Sequence, residues 1–396
     1  MTGTISMDRL GKLTAAMDRL TDGTTYAGAV TQIWLRGTKV HESCHGMMDI
    51  ENAVPMRRDA IFRIASMTKP IVSAAVLQQL EEGKLRLNDA VSRWLPELAD
   101  MQVLRSPDSP LSETEPLARP ITVLDLLTHR SGITYDFSAF GELQQKIAPL
   151  RGRGIVADLS PDDWMAALGE VPLISQPGKT WHYGFSTDVL GVLVSRIDGK
   201  PLLEALTDRI LGPLGMTDTN FHVGDDRHER FTVAYMRDDE GKLVPHDRPG
   251  SNSLYGAPPL FQGGGGGMVS TADDYARFAL ALANGGEYDG VRILARKTVE
   301  AMTRDWIGPE QRAPHFPAFD VLGAHGFGLG VSVVNADGID VALASPGKFG
   351  WPGAYSTRWF ADPSEDLVAI MMTQMWFDMK REIGPAFDTL VYQALD

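Results

Sequence analysis

The chain has 396 residues, is 43% hydrophobic and holds one cysteine, so it can bury an enzyme-sized core but has no internal disulfide framework. A formal charge of −14 and the lack of any Lys/Arg-rich run argue against nucleic acid as a partner. No apolar run is long enough to span a bilayer, and the opening MTGTISMDRLGKLTAAMDRL scatters its charges instead of following a basic head with an apolar stretch, which gives the expectation of a cytoplasmic protein without membrane contact.

From the start, Ser6 to Leu20 place Met7, Leu10, Leu13 and Met17 at helical spacing and predict an outer amphipathic helix. YAGAVTQIWLRG and KVHESCHGMMD are strand-like runs parted at Gly37 and Thr38, which predicts a hairpin of an antiparallel sheet. Within the second run Cys44 is expected as a small buried side chain. PMRRDAIFRIAS reads as an extended approach to Ser66, and the nearly all-apolar IVSAAVLQQL as a core helix from Pro70 to Leu80, where Pro70 is tolerated in a first turn. From residue 85 to about 250 the chain is polar and helical between Pro/Gly turns; LNDAVSRWLPEL, TVLDLLTH, PDDWMAALG and STDVLGVLVSRIDGKPLLEALTDRILGPL are its clearest pieces.

Beyond the glycines at 263–267, which suit close backbone approach near a cleft floor, STADDYARFALALANGG reads as a helix. Ser270 or Thr271 is its cap and Asp273 lies in its first turn. Strand-like runs GFGLGVSVVN, GIDVALAS, AYSTRWFADP and LVAIMMTQM follow, and a last helix covers about Glu382 to Ala394. Strands at both chain ends around a helical middle predict an α+β fold, in which residues 1–84 and 255–396 build an antiparallel sheet flanked by helices. Residues 85–254 form a mainly helical second domain, with a ligand cleft between the two.

The first chemistry is in FRIASMTKP, where Ser66 precedes Lys69 by three residues at a helix start, so the amine and the hydroxyl share a face. A hydroxyl needs a base in contact with it to act as a nucleophile. A lysine of ordinary pKa costs roughly 4 to 5 kcal/mol to deprotonate at pH 7, so burial, a cationic neighbour or a second base must help. The bare pattern is weak, and it recurs at Ser345 and Lys348, where Pro346 and Gly347 disfavour a helix start. A G-x-S-x-G elbow is absent, the nearest approach being Gly184, Ser186 and then Asp188. HExxH, a strand-to-helix GxGxxG and a P-loop are absent too, so no metal or cofactor is expected.

FRIASMTKP, LLTHRSG, PGKTWHYGFSTDVLG, ILGPLGMTDT, GGGGGMVSTADDYARF and FGWPGAYSTRWFADP, in this order, resemble the penicillin-recognising serine enzymes, most closely the family VIII carboxylesterases within the class C beta-lactamase group. The resemblance covers roughly residues 20 to 375 and implies a beta-lactamase-like two-domain fold, an acyl-enzyme mechanism and no metal. It makes Tyr183 the match for the tyrosine of the family's second motif, a phenol that can take the Ser66 proton and pass it to the leaving alkoxide. Where beta-lactamases of the group carry Tyr-x-Asn, this chain has Tyr183, Gly184 and Phe185, so the amide for a substrate's acylamino group is missing. Lys348, Phe349, Gly350 and Trp351 stand in the place of the Lys-Thr-Gly strand, and Trp351, Pro352 and Gly353 resemble the Trp-Gly-Gly of the esterase branch. The implied oxyanion donors are the N–H groups of Ser66 and Trp351, with Lys348, Gly350 and Phe185 as further substrate contacts.

His129 of LLTHRSG reads as a structural hydrogen-bonder in preference to a base, because Lys69 and Tyr183 fill that role. The sequence thus predicts a serine carboxylesterase acting on small esters through a Ser66 acyl-enzyme. The alternatives are a beta-lactamase or D-amino-acid peptidase, an acyltransferase to an alcohol, and an inactive binding protein on the same fold.

Overall fold

The run LVAIMMT has no charged residue, so a pleated strand made from it buries side chains on both faces and belongs in the middle of a sheet. That is where the computed structural model, which describes residues 4–152, 157–312, 325–335, 343–378 and 382–396, places it. The strands β1 (Gly28–Leu35), β2 (Thr38–Asp49), β3 (Val54–Pro55), β4 (Gly326–Phe327), β5 (Ser332–Val333), β6 (Phe349–Gly350), β7 (Arg358–Asp362) and β8 (Leu367–Thr373) form one eight-stranded antiparallel sheet. Its order is β4-β5-β6-β7-β8-β1-β2-β3, with Ala29 opposite Thr373 and Leu35 opposite Leu367 at the seam between the two chain ends.

The helices are α1 (Met7–Leu20), α2 (Thr68–Glu81), α3 (Val123–Leu127), α4 (Gly141–Arg151), α5 (Pro161–Gly169), α6 (Ser186–Asp198), α7 (Leu202–Leu206), α8 (Ala272–Ala283), α9 (Arg296–Met302) and α10 (Ile383–Tyr392). On one face of the sheet Leu367, Ala369 and Met371 meet Leu10, Leu13 and Met17 of α1 and Phe387 and Val391 of α10. On the other, Val368, Ile370 and Met372 join the larger core, where α8 lies against β1, β7 and β8. Helix α2 is buried from Thr68 through Leu77 and packs on α6 and α7, as an all-round apolar helix must. The nucleophile region is therefore anchored in the deepest part of the molecule. Among the described residues no helix is long and apolar enough to cross a membrane.

Several local expectations change. The β1–β2 turn sits on Arg36 and Gly37 (φ 51° and 72°), not on Gly37 and Thr38, because a two-residue hairpin loop with the sheet's twist needs positive φ at both positions. GFGLGVSVVN splits into β4 and β5, since Gly330 (φ 92°) allows a tight turn closed by Gly328 N–H to Val331 O at 2.8 Å. GIDVALAS falls mostly outside the described residues. Between its helices, the middle of the chain also carries two hairpins, Gln102–Leu104 with Thr114–Pro116 and Ala234–Arg237 with Leu243–Asp247. Cys44 is exposed: its neighbour His45 turns inward to Asp18 (2.7 Å), and the pleat then points Cys44 outward.

Candidate active site

The extended approach to Ser66 ends in a short strand, Phe62–Arg63, that pairs with Val269–Ser270, so the nucleophile turn and the glycine run lie side by side. Ile64 N–H continues the pairing to Met268 O at 3.0 Å. Ala65 then takes φ +41°, a left-handed conformation that costs a non-glycine residue of order 1–3 kcal/mol and that collects at functional turns. One turn of 3-10 helix over Ala65–Met67 presents Ser66, and α2 follows from Thr68. Pro70 falls in its first turn, where its missing N–H goes unneeded.

Lys69, 1% exposed, donates through Nζ to Ser66 Oγ at 3.2 Å, to Tyr135 OH at 3.1 Å and to Gly265 O. Tyr183 OH donates to Ser66 Oγ at 2.7 Å and accepts from Trp351 Nε1 at 3.2 Å. The ammonium also stands 4.6 Å from the centre of the Tyr183 ring. Ser66, Lys69 and Tyr183 thus meet in one hydrogen-bonded group.

Two partners of this group, Tyr135 and Asp188, are given no site role by the sequence. Tyr135 joins Lys69 to Asp188, whose Oδ2 lies 3.5 Å from the phenol, and Gly265 N–H donates to Asp188 Oδ1 at 2.9 Å. The Asp188 carboxylate balances the buried ammonium through these bridges. Burial raises its carboxyl above the usual range, against the opposing pull of Lys69 and the Gly265 N–H. Burial, and next the Asp188 charge, push the Tyr135 phenol well above its ordinary value, so it stays protonated and serves as a relay of position. A signal existed: Asp188 is the one charged residue in the otherwise uncharged run Ser186–Val194 of α6, and a buried carboxylate needs a partner.

Glycines allow the crowding. A Cβ on Gly265 would fall 2.2 Å from Asp188 Oδ2, and one on Gly184 would fall 2.2 Å from Ile133 O. Gly184 thereby brings Tyr183 and Phe185 onto the cleft wall, where Phe185 packs edge-on against Tyr135 and Trp164.

In front of Ser66 lies a cavity of about 350 Å³. Its walls are mainly apolar: Phe137, Leu150, Phe185, Phe261, Trp351, Trp376, Phe377 and Ile383, with Tyr135 and Tyr183 near the nucleophile. The stretch after Trp351 comes close to Ser66. A Cβ on Gly353 would meet Ile64 O at 2.4 Å, and Ala354 packs on the small cluster of Ala65 and Tyr355.

Two expected substrate contacts are placed elsewhere. Lys348 sits on the α10 side of the sheet, paired with Asp388 at 3.1 Å and lying over the Phe360 ring, so it points neither to Ser66 nor to solvent. The pleat explains this: Lys348 and Gly350 share one face and Phe349 the other. Gly350 is held between Ser332 and Phe360 in the sheet and does not line the main cavity. It is the Trp351 indole that reaches the Tyr183 hydroxyl. His129 is also not the hydrogen-bonder expected. Its buried ring finds no partner for either nitrogen among the described residues and packs 5.0 Å from the Tyr183 ring and 5.5 Å from Phe327. Burial, with Lys69 nearby, drives its pKa well below the ordinary value and keeps it neutral.

Comparison with known proteins adds to this geometry. The Beta-lactamase family profile matches residues 13–392. Protein Rv1367c of Mycobacterium tuberculosis (strain ATCC 25618 / H37Rv) is 42% identical over 376 residues, covering 94% of this chain and 92% of that protein. Esterase EstB of Burkholderia gladioli is 31% identical over 384 residues, covering 93% and 91%. Among solved structures, EstCE1, described as a hydrolase with promiscuous acyltransferase activity, superposes with a TM-score of 0.80 at 25% identity, covering 97% of this chain and 99% of its own.

Proposed function

Given that the chain belongs to the beta-lactamase family, we propose that it cleaves small carboxylic esters through a covalent acyl intermediate on Ser66. The observation that carries this reading is the 2.7 Å contact of Tyr183 OH with Ser66 Oγ, backed by Lys69 at 3.2 Å from the same oxygen. Esterase EstB supports ester chemistry over lactam chemistry, as does Phe185 standing where an acylamino-binding amide would be needed.

In this mechanism Tyr183 first yields its own proton to solvent and works as phenolate, so that the Ser66 hydroxyl donates to it; Ser66 Oγ then attacks the ester carbonyl as that proton passes to Tyr183. Lys69, with its donors committed to Ser66, Tyr135 and Gly265, remains a fixed positive charge beside both oxygens. The tetrahedral oxyanion takes the Ser66 N–H and a second backbone donor. We place that second donor in the stretch 351–354: Pro352 has no N–H and Gly353 spends its own on Thr357 O (2.8 Å), which leaves Trp351 and Ala354, and Ala354 N–H, beside Ala65, has no acceptor among the described residues. Collapse breaks the bond to the alcohol, which leaves with the Tyr183 proton, and water activated by Tyr183 then releases the acid. An alcohol taking the place of that water gives acyl transfer, the second reading, favoured by the apolar wall and by the acyltransferase activity of EstCE1.

The test is a set of parallel initial rates on p-nitrophenyl acetate, butyrate and octanoate and on nitrocefin, for the intact protein and Ser66→Ala, with and without an added primary alcohol. Ester turnover far above lactam turnover, both abolished in Ser66→Ala, is the expected result. Activity surviving in that variant would remove Ser66 as nucleophile, and dominant lactam turnover would make the protein a beta-lactamase.

A further inference from the structure

Arg358 opens β7 on the wall of the cavity. The preceding Thr357 reaches back to Ile64 O (3.5 Å) beside the nucleophile turn. Arg358 lines both the 350 Å³ cavity and a side hollow of about 50 Å³, which also share Trp351 and Pro352. The guanidinium rests over Gly384 at the start of α10, where a Cβ would fall 2.2 Å from Nη1, so backbone fixes its position.

Among the described residues the charges around it do not balance. Lys348 takes Asp388 Oδ2 at 3.1 Å, and Arg358 Nε is left 3.3 Å from Oδ1, an oxygen that accepts no hydrogen bond among the described residues. Two cations share one carboxylate, and Arg358, the one with 25% of its side chain exposed, is the one that faces the cavity. Among the described residues the cavity's other charges are already engaged: Arg151 with Asp136, Asp188 with Gly265 and Tyr135, and Asp378 with the Tyr26 hydroxyl. In a chain of net charge −14, an anionic substrate is repelled unless a local cation receives it, and a guanidinium matches the two oxygens of a carboxylate.

We propose that Arg358 is a specificity-determining residue that binds a carboxylate carried by the ester substrate away from the bond that breaks. The preferred substrates are then half-esters of dicarboxylic acids, or esters of alcohols that bear an acid group. Turnover of such substrates rests on the Ser66 esterase reading; their binding does not.

Two matched pairs test this: p-nitrophenyl hemiglutarate against p-nitrophenyl pentanoate, and 4-carboxyphenyl butyrate against phenyl butyrate. The readout is the ratio of kcat/KM, anionic over neutral, in the intact protein, Arg358→Met, Arg358→Gln and Arg358→Lys. A ratio for one pair that falls about 10- to 100-fold in the uncharged variants and is largely kept in Arg358→Lys supports the proposal. Ratios unchanged in both pairs, including equal falls for anionic and neutral esters, overturn it. If no ester is turned over the esterase reading has failed, and binding decides instead. Quenching of tryptophan fluorescence by the same four esters is titrated in Ser66→Ala with and without Arg358→Gln. A dissociation constant at least about 10-fold weaker for an anionic ester alone sustains the subsite, and equal constants refute it.

Discussion

Three substitutions around Ser66 separate the roles of the groups that surround it. Tyr183→Phe deletes the hydroxyl at 2.7 Å and is expected to lower kcat by about 10²- to 10⁴-fold on p-nitrophenyl butyrate, with little change in KM. Trp351→Phe keeps a ring in the wall but removes the donor at 3.2 Å from Tyr183 OH, and an isolated hydrogen bond of this kind is worth about 10-fold in kcat. A fall in Trp351→Phe as large as that in Tyr183→Phe would mean the indole does more than position the phenol. Gly353→Ala places a methyl 2.2 Å from Thr357 Oγ1 and 2.4 Å from Ile64 O, displacing the strand end from the nucleophile. Its expected result is a loss of about 10²-fold in kcat with an unchanged circular dichroism spectrum. At this scale Ser66 and Lys69 were legible because a three-residue spacing on a helix is local. Tyr135 was not, because the chain separates it from Lys69 by 66 residues.

Among the elements, α8 shows how a cap can carry a pH dependence. Thr271 accepts from Asp274 N–H at 3.1 Å, which resolves the choice between Ser270 and Thr271 as the cap. Asp274, buried in the first turn, accepts from Asp218 N–H and Thr219 Oγ1 at 2.8 and 3.0 Å. Burial raises its pKa from 3.8 to about 6 despite those bonds. Between these values the folded state holds a proton that the unfolded chain has released, so this group's contribution to stability falls as pH rises from about 4 to about 6. Asp274→Asn removes that linkage. Relative to the intact protein, its unfolding free energy is expected to rise by about 2 kcal/mol across that window, read by urea denaturation at a series of pH values. A difference that stays flat with pH would place the titration elsewhere. The helix itself was readable from its period and its cap residues. GFGLGVSVVN was readable as strand-like but not as the two strands β4 and β5, and β6 was reached only through the family resemblance, because two-residue strands lack the length for a period and exist only by pairing.

At the scale of the molecule, Arg63 ties the parts together. Its guanidinium is fully buried, pairs with Asp247 of the middle region, donates to Thr232 O at 2.7 Å and to Gln374 Oε1 at 3.0 Å, and stacks 3.8 Å over Phe231. The link starts three residues before Ser66, so stability and the shape of the nucleophile turn depend on the same contact. Arg63→Met leaves the Asp247 carboxylate buried without its partner and is expected to cost about 3–5 kcal/mol, measured from the denaturant midpoint. Pairing it with Asp247→Leu should recover part of that loss. If the single variant loses less than about 1 kcal/mol, the ion pair does not join the two regions.

By itself the sequence determined which chemistry was available and the class of fold. The Ser66–Lys69 spacing, the wholly apolar α2, the hairpin at the start and the apolar run of β8 are all set by neighbours within a turn or a strand, where side-chain period and local sterics suffice. Only the tertiary structure decided which distant residues complete the site and which way its cations point. Tyr135, Asp188 and Gly265 converge because β-pairing at Phe62–Arg63 and the Gly191–Gly264 approach bring separate segments within hydrogen-bond reach. Lys348 is turned to Asp388 by the pleat of a strand whose register is fixed by its neighbours in the sheet, a constraint that no local pattern in the chain encodes.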